Sequence, residues 1–240
     1  MRQVARIERP KRIRQPDRYG ALLVLILIDC VVIFTSAQRG PSRWLPAVLV
    51  GLTVLVGLDT SHVSGWWVNP TRVAAVAVAA AAVVDGINGT AWTLGVLGVL
   101  QAAVLSILVV AIISRFLQHR QVTEQTVLAV ICVYVLFGLI FALLTFGING
   151  ITGRQFFAQN PDPTFADFVY FSFVVLTTLG FGDLTPATDG GKAMVSFEAL
   201  LGQLFLVTVV SRLVSLYTGT KRSLDAAPSS EPPPEPPPAE

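Results

Sequence analysis

The sequence predicts an all-α membrane protein with six transmembrane helices and a short helix that dips into the membrane between helices 5 and 6. Hydrophobic residues make up 53% of the 240 residues and charged residues only 13%, whereas soluble domains carry about 25% charged residues. Residues 20–114 contain six charged side chains. A domain this apolar would expose large hydrophobic patches to water. The composition therefore argues against a soluble enzyme, a nucleic-acid-binding protein and a disordered scaffold.

Six apolar segments supply the predicted spans, and the polar loops between them set their limits. At a rise of about 1.5 Å per residue, the last three segments are about 33–36 Å long, enough for a hydrocarbon core of about 30 Å. The Ala/Val run of the third segment spans the membrane only if its helix starts near Trp66. The six predicted helices cover residues 21–37, 44–58, 73–84 with this earlier start, 92–113, 127–148 and 193–216.

The basic residues predict the orientation of the chain in the cell membrane. With the N-terminus inside, 13 of the 17 Lys and Arg residues fall on the cytoplasmic side, as the positive-inside rule requires. Arg39 and Arg43 fall outside and count against this orientation. Both termini are therefore expected in the cytoplasm, with the basic arm 1–18 near anionic lipid headgroups.

The C-terminal segment 221–240 ends in a proline-rich run. Proline favours an extended polyproline helix without internal hydrogen bonds. The composition therefore predicts a disordered, solvated cytoplasmic tail, and a docking motif for a cytoplasmic partner is the alternative.

Residues 149–192, between helices 5 and 6, carry the functional signal. The apolar stretch 165–176 has only 12 residues, so a helix there is about 18 Å long and too short to cross a bilayer. Thr164 and Asp167 have the spacing of a capping-box variant at its start. We therefore expect a helix that enters the membrane and a segment that returns from it.

The returning segment reads TTLGFGD, residues 177–183. Glycine readily adopts left-handed backbone conformations, and a non-helical backbone at membrane depth is tolerated only in protein or along an aqueous path. A glycine-rich surface turn is the simpler interpretation, but it leaves the dipping helix unexplained.

This motif resembles the selectivity filter of the potassium channel family, usually TTVGYGD. The resemblance covers about 124–216 and implies an outer helix, a pore helix, an extended filter and an inner helix. In this family, filter carbonyls replace the hydration shell of K⁺. The resemblance thus assigns K⁺, the permeant ion, to the carbonyls of Thr178, Leu179, Gly180 and Phe181, with Gly182 at the exit.

The resemblance also assigns supporting roles around the filter. Thr177 ends the pore helix, and Asp183 lies at the outer mouth with Tyr170 as its expected partner. Two residues depart from the family pattern. Leu179 replaces valine, and Phe181 replaces tyrosine and lacks the hydroxyl that braces the filter. Relaxed selectivity for monovalent cations is therefore the alternative to K⁺ selectivity.

One chain supplies one wall of a ring, so the resemblance implies a homotetramer embedded in membrane lipid. The expected domains are the arm 1–18, a four-helix peripheral domain 19–120, a pore domain 121–220 and the tail 221–240. In helix 6, Gly202 is a candidate gating hinge, with a packing glycine as the equal alternative. Glu198 is expected to face either the back of the pore helix or solvent.

The peripheral domain matches six-span channels in helix number, but its fourth helix has no arginine. A voltage sensor needs several such charges, each worth about 2.3 kcal/mol per 100 mV. The sequence therefore predicts a K⁺-selective channel without a conventional voltage sensor. A secondary transporter and a non-conducting membrane scaffold are the alternatives from other classes. Asp29, near the middle of helix 1, is interpreted as a structural hydrogen-bonding residue or as a ligand or proton site.

Overall fold

The computed structural model describes residues 19–35, 45–60, 68–88, 90–118 and 124–225. These residues form an all-helical structure, which confirms the predicted fold class. The helices are α1 Tyr19–Thr35, α2 Leu45–Thr60, α3 Val68–Asn88, α4 Ala91–Gln118, α5 Glu124–Thr152, α6 Phe165–Leu176 and α7 Asp189–Asp225. Helix α7 extends five residues into the predicted tail. The basic arm 1–18 and tail residues 226–240 lie outside the described residues.

Three helices contain segments that are long and apolar enough to cross a membrane: Ala91–Ser114, Gln125–Thr152 and Asp189–Arg212. Shorter apolar helices accompany them, among them α1, α2 and α6. Helix α3 has 21 residues and a length of about 32 Å. It begins at Val68, two residues after the predicted start, with Pro70 in its first turn, where proline is tolerated. The chain is a multi-pass membrane protein.

Helices α4 and α5 pack against each other at van der Waals distance through glycines. A Cβ atom on Gly95 would lie 2.8 Å from the carbonyl oxygen of Gly147, and one on Gly150 would lie 2.5 Å from that of Ala91. Small residues allow helix backbones in membranes to approach this closely. Residues later in α4 contact residues earlier in α5, so the two helices form a tight antiparallel pair.

Hydrogen bonds between polar side chains and neighbouring helices connect the peripheral helices. Asp29 of α1 is fully buried and accepts a hydrogen bond from Thr53 of α2. This bond fits the structural alternative for Asp29. Gln101 of α4 donates its amide to the carbonyl of Ala47 at 3.0 Å. Such bonds fix the relative positions of helices in a hydrocarbon environment.

Candidate functional site

The start of α6 is fixed by the predicted capping interaction. Oδ2 of Asp167 accepts hydrogen bonds from the backbone N–H of Thr164 at 2.7 Å and from its hydroxyl at 2.9 Å. The side chain of Asn160 donates to the same oxygen at 3.3 Å. The negative charge of Asp167 in the first turn also stabilises the helix dipole. The helix begins at Phe165 and ends at Leu176, as the sequence predicts.

An aromatic cluster holds α6 against the loop that precedes it. Phe157 and Phe168 are fully buried, with ring centroids 4.8 Å apart. Phe171 lies edge-on to Phe157 at 5.0 Å, and Phe156 lies 5.6 Å from Phe168. Edge-to-face and tilted contacts of this kind add stabilisation beyond the buried area. The cluster fixes α6 on the side from which the chain enters the site.

The loops before α6 and after the TTLGFGD motif form a two-stranded contact. The amide of Ala158 donates to the carbonyl of Thr185 at 2.9 Å, and that of Ala187 donates to the carbonyl of Phe156 at 2.8 Å. Gln159 bonds both the hydroxyl and the amide of Thr185, at 2.8 and 2.9 Å. The two ends of the site are therefore joined at the surface expected to be its outer mouth.

The motif leaves α6 through hydrogen bonds to the last turn of that helix. The amide of Thr178 donates to the carbonyl of Val175, and the amide of Leu179 donates to that of Val174, both at 2.9 Å. Positive φ angles then alternate along the segment, at 57° for Thr178, 59° for Gly180 and 77° for Gly182. Glycine adopts this conformation freely, but a β-branched threonine at positive φ is an outlier.

The carbonyl groups of the motif remain available. In the described part of the chain, no hydrogen bond is made to the carbonyl oxygens of residues 178–182. The side chains of Leu179 and Phe181 are 57% and 64% exposed on the single chain. At membrane depth, unpaired backbone groups are tolerated only within protein or along an aqueous path. An exposed segment with five unpaired carbonyls is therefore suited to contact water or an ion.

Tyr170 and Asp183, which the sequence analysis pairs, are in contact. The hydroxyl of Tyr170 donates a hydrogen bond to Oδ2 of Asp183 at 2.8 Å. This bond, followed by desolvation and the charge of Asp183, raises the pKa of Tyr170 above its ordinary value of about 10. The bond ties the end of the motif to the middle of α6.

Tyr134 and Ser172 were not identified as site residues from the sequence, whereas Glu198 takes the first of its two expected positions, facing the back of α6. The hydroxyl of Tyr134 in α5 donates to the carbonyl of Leu176, the last residue of α6, at 3.0 Å. Ser172 of α6 donates to the carbonyl of Gly138 in α5 at 2.7 Å and also bonds Glu198 of α7. A polar residue in an apolar span is the only sequence signal that Tyr134 and Ser172 give.

Gly202 of α7 packs against Leu176, the last residue of α6. A Cβ atom there would be 2.7 Å from Cδ1 of Leu176. This contact is what the packing alternative requires, whereas the role of Gly202 as a hinge remains a prediction. Thr177, the residue after Leu176, donates hydrogen bonds from its amide and its hydroxyl to the carbonyl of Phe173, at 3.0 and 2.7 Å.

The site is suited to bind a cation through neutral oxygens. Its donor set consists of backbone carbonyls and the hydroxyl of Thr178. The carboxyl end of α6, which carries about half a negative charge, directly precedes them. In the described residues, no group of three or more His, Cys, Asp or Glu side chains could hold a metal ion. The chemistry that this donor set could supply is coordination by carbonyl oxygens.

We predict that Tyr170→Phe loosens the motif, because the variant removes only the hydroxyl that holds Asp183. Backbone amides of residues 178–183 should exchange hydrogen for deuterium faster in the variant, as measured by mass spectrometry. Asp183→Asn keeps a carbonyl oxygen as acceptor and should have a smaller effect. Equal exchange rates in Tyr170→Phe and the unmodified protein would show that this bond does not hold the motif.

Comparison with known proteins agrees with this geometry. Residues 129–219, from α5 through most of α7, match a family model described as an ion channel. Over 83 residues the chain is 32% identical to the potassium voltage-gated channel subfamily A members 4 and 6 of human and member 2 of Xenopus laevis.

These matches are confined to the pore region. They cover 32% of this chain and 13–17% of the relatives. The chain thus spans under a fifth of the length of these curated relatives. The family match over residues 129–219 agrees with the prediction of a channel rather than an enzyme. Residues 129–219 thus match an ion channel domain and are distantly similar over the pore region to voltage-gated potassium channels.

Proposed function

We propose that four copies of this chain form a K⁺-selective pore in the cell membrane. The observation that carries the proposal is the exposed segment 178–182, with alternating positive φ angles and unpaired carbonyls. Four such segments around an axis would surround a dehydrated cation with rings of carbonyl oxygens. The hydroxyl of Thr178 would add the innermost ring.

An exposed apolar stripe on α7 supports assembly with further copies. Only 17% of its span is buried within the single chain, and the exposed residues recur at helical spacing. They are Phe197, Leu200, Leu204, Val207, Val210 and Val214. In a ring of four chains, this stripe and the side chains of Leu179 and Phe181 would contact neighbouring copies, and part of α7 would line the conduction path.

A weakly selective monovalent cation channel is the second candidate function. It is favoured by Phe181, which has no hydroxyl to brace the filter, and by the bulk of Leu179. The Tyr170–Asp183 bond supports K⁺ selectivity instead, because it provides a separate brace at the outer end of the motif.

We expect the reversal potential of the purified protein in a bilayer to follow the K⁺ gradient when K⁺ and Na⁺ are opposed. Gly180→Ala should abolish this current. Gly180 has φ +59° and open space around its Cα, so an added Cβ acts through backbone strain alone. Gly190→Ala, which also meets no neighbour but lies in α7, is the matched control. A reversal potential indifferent to K⁺ would contradict the proposal.

We further propose that α4 does not act as a voltage sensor. Between Ala91 and Ser114 this helix has no basic residue, and its glycine contacts with α5 hold it in place. The relatives named above are voltage-gated, but arginine-bearing helices are what the membrane field moves. Gating would therefore arise elsewhere, with the filter as the candidate.

The corresponding measurement is the steady-state open probability in symmetric K⁺ between about −100 and about +100 mV. A sensor with three to four charges per subunit produces a steep sigmoid, and we expect a shallow curve instead. Neutralising Arg115 and Arg120, the two basic residues beyond the apolar part of α4, should leave it unchanged. A steep curve that flattens in this double variant would show that α4 senses voltage.

The proposed pore also fixes the topology. With both termini in the cytoplasm and the outer mouth outside, α1, α2 and α3 must all cross the membrane together with α4, α5 and α7. The short loop at Thr90, between α3 and α4, then lies outside.

Cysteine labelling tests this topology after Cys30 and Cys132 are replaced by alanine. A thiol at Thr90 should react with an impermeant reagent added outside intact cells. A thiol at Arg120 should react only after the cells are opened. Labelling of Thr90→Cys only from the cytoplasmic side would remove α3 as a span or invert the chain.

A further inference from the structure

Glu198 is a fully buried carboxyl group in a membrane-spanning helix. Its Oε1 bonds the hydroxyl of Ser172, while its Oε2 has no partner among the described residues. Burying such a group is costly in a membrane, and an apolar side chain of similar volume would fill the space without this cost. Within the described residues, the hydrogen bond to Ser172 is the one polar interaction that offsets this cost.

The charged groups on the elements packed around Glu198 interact with other residues. On α7, Lys192 bonds Asp189 at 3.0 Å. On α6, Asp167 caps the helix, and Tyr170 bonds Asp183. In the described part of α5, α6 and α7, no basic side chain bonds Glu198. The carboxyl group is thus not one half of an ion pair.

The hydrogen atoms of the cluster indicate how Glu198 is held. Ser172 has one hydroxyl hydrogen, yet its oxygen contacts both Glu198 Oε1 and the carbonyl of Gly138. Both contacts are satisfied together when the hydroxyl donates to Gly138 and the carboxyl group supplies the second hydrogen. A glutamine amide could supply that hydrogen equally well.

The same three helices meet in two layers, one helical turn apart. In the first layer, Gly138 of α5, Ser172 of α6 and Glu198 of α7 are joined by hydrogen bonds. The second layer lies four residues away along each helix, at Tyr134, Leu176 and Gly202. There Tyr134 donates a hydrogen bond to the carbonyl of Leu176, and Gly202 packs against the side chain of Leu176.

The two layers differ in how firmly they connect α7 to α6. Gly202 and Leu176 touch only by van der Waals contact between α7 and α6, which allows sliding. The Ser172–Glu198 bond is the one directional contact between these two helices in the described residues. Leu176 lies two residues before Thr178, so α6 carries this contact to the first residue of the carbonyl segment.

We infer that Glu198 positions the selectivity filter by coupling α7 to α6 through Ser172. The inference rests on the proposed function, because it gives the inner helix of that pore a direct influence on its filter. A movement of α7 would pull on Ser172 and thereby change the geometry of residues 178–182.

The test uses the purified full-length protein in liposomes and has two readouts. Hydrogen–deuterium exchange of residues 165–183 reports whether α6 and the motif are held. The K⁺/Na⁺ permeability ratio reports whether that holding sets selectivity. The variants are Glu198→Ala, Glu198→Gln, Ser172→Ala and the double alanine variant. Ser196→Ala is the matched control, because its hydroxyl bonds only the carbonyl of Lys192 within α7.

We expect Glu198→Ala and Ser172→Ala each to speed exchange of the α6 amides about tenfold, the size of one buried hydrogen bond. Both should lower the permeability ratio. The double variant should be no worse than either single variant, since one link is lost in all three. Glu198→Gln should match the unmodified protein in both readouts, because its amide supplies the same hydrogen. Ser172→Ala separates the bond from packing volume, since it removes a single oxygen atom.

Exchange in Glu198→Ala no faster than in Ser196→Ala would overturn the inference, as would additive effects in the double variant. If Glu198→Ala does not assemble, Ser172→Ala removes a single oxygen atom and carries the same comparison. A wild-type protein without K⁺ preference would refute the proposed function, while the exchange rates would still decide whether Glu198 couples the two helices.

Discussion

Backbone carbonyl groups in a membrane must be bonded, buried in protein or placed along a path for water and ions, and residues 178–182 depend on this constraint. Their carbonyls are unpaired on the single chain. Alternating positive φ angles keep the segment from continuing α6 or pairing as a strand. In the proposed assembly, a ring of copies around a cation would provide partners for these unpaired groups. The exposed stripe of α7 fits the same assembly.

The remaining structure holds that segment in position. The capping interaction of Asp167 and the buried Phe157–Phe168 contact fix the entry of α6. Tyr134 donates a hydrogen bond to the last carbonyl of α6, which would otherwise lack a partner at the helix end. Helix α5 contacts α1, α4, α6 and α7, so it is the scaffold on which the site is built. The Thr178 conformation, which costs about 1–3 kcal/mol for a residue held at positive φ, is sustained by these contacts.

Local signals made much of this predictable. The bounds of α6 follow from Thr164, from Asp167 and from a stretch too short to span. The contact between Tyr170 and Asp183 was expected from the family resemblance. The positive φ of Thr178 was not, since sequence rules reserve that conformation for glycine.

The Ser172–Glu198 bond depends on the relative register of α6 and α7, and the Gly95–Gly147 contact depends on the relative register of α4 and α5. Such registers are set by tertiary packing and leave no local pattern.

The central claim is that residues 178–182 of several copies together bind K⁺. The most direct measurement is the heat stability of the purified assembly in K⁺ compared with Na⁺ at equal ionic strength. A ligand that binds only the folded assembly raises its stability in proportion to RT ln(1 + [L]/Kd). The account predicts a tetramer that dissociates at a higher temperature in K⁺, with the difference lost in Gly180→Ala. Equal stability in the two salts, or a monomer in both, would contradict it.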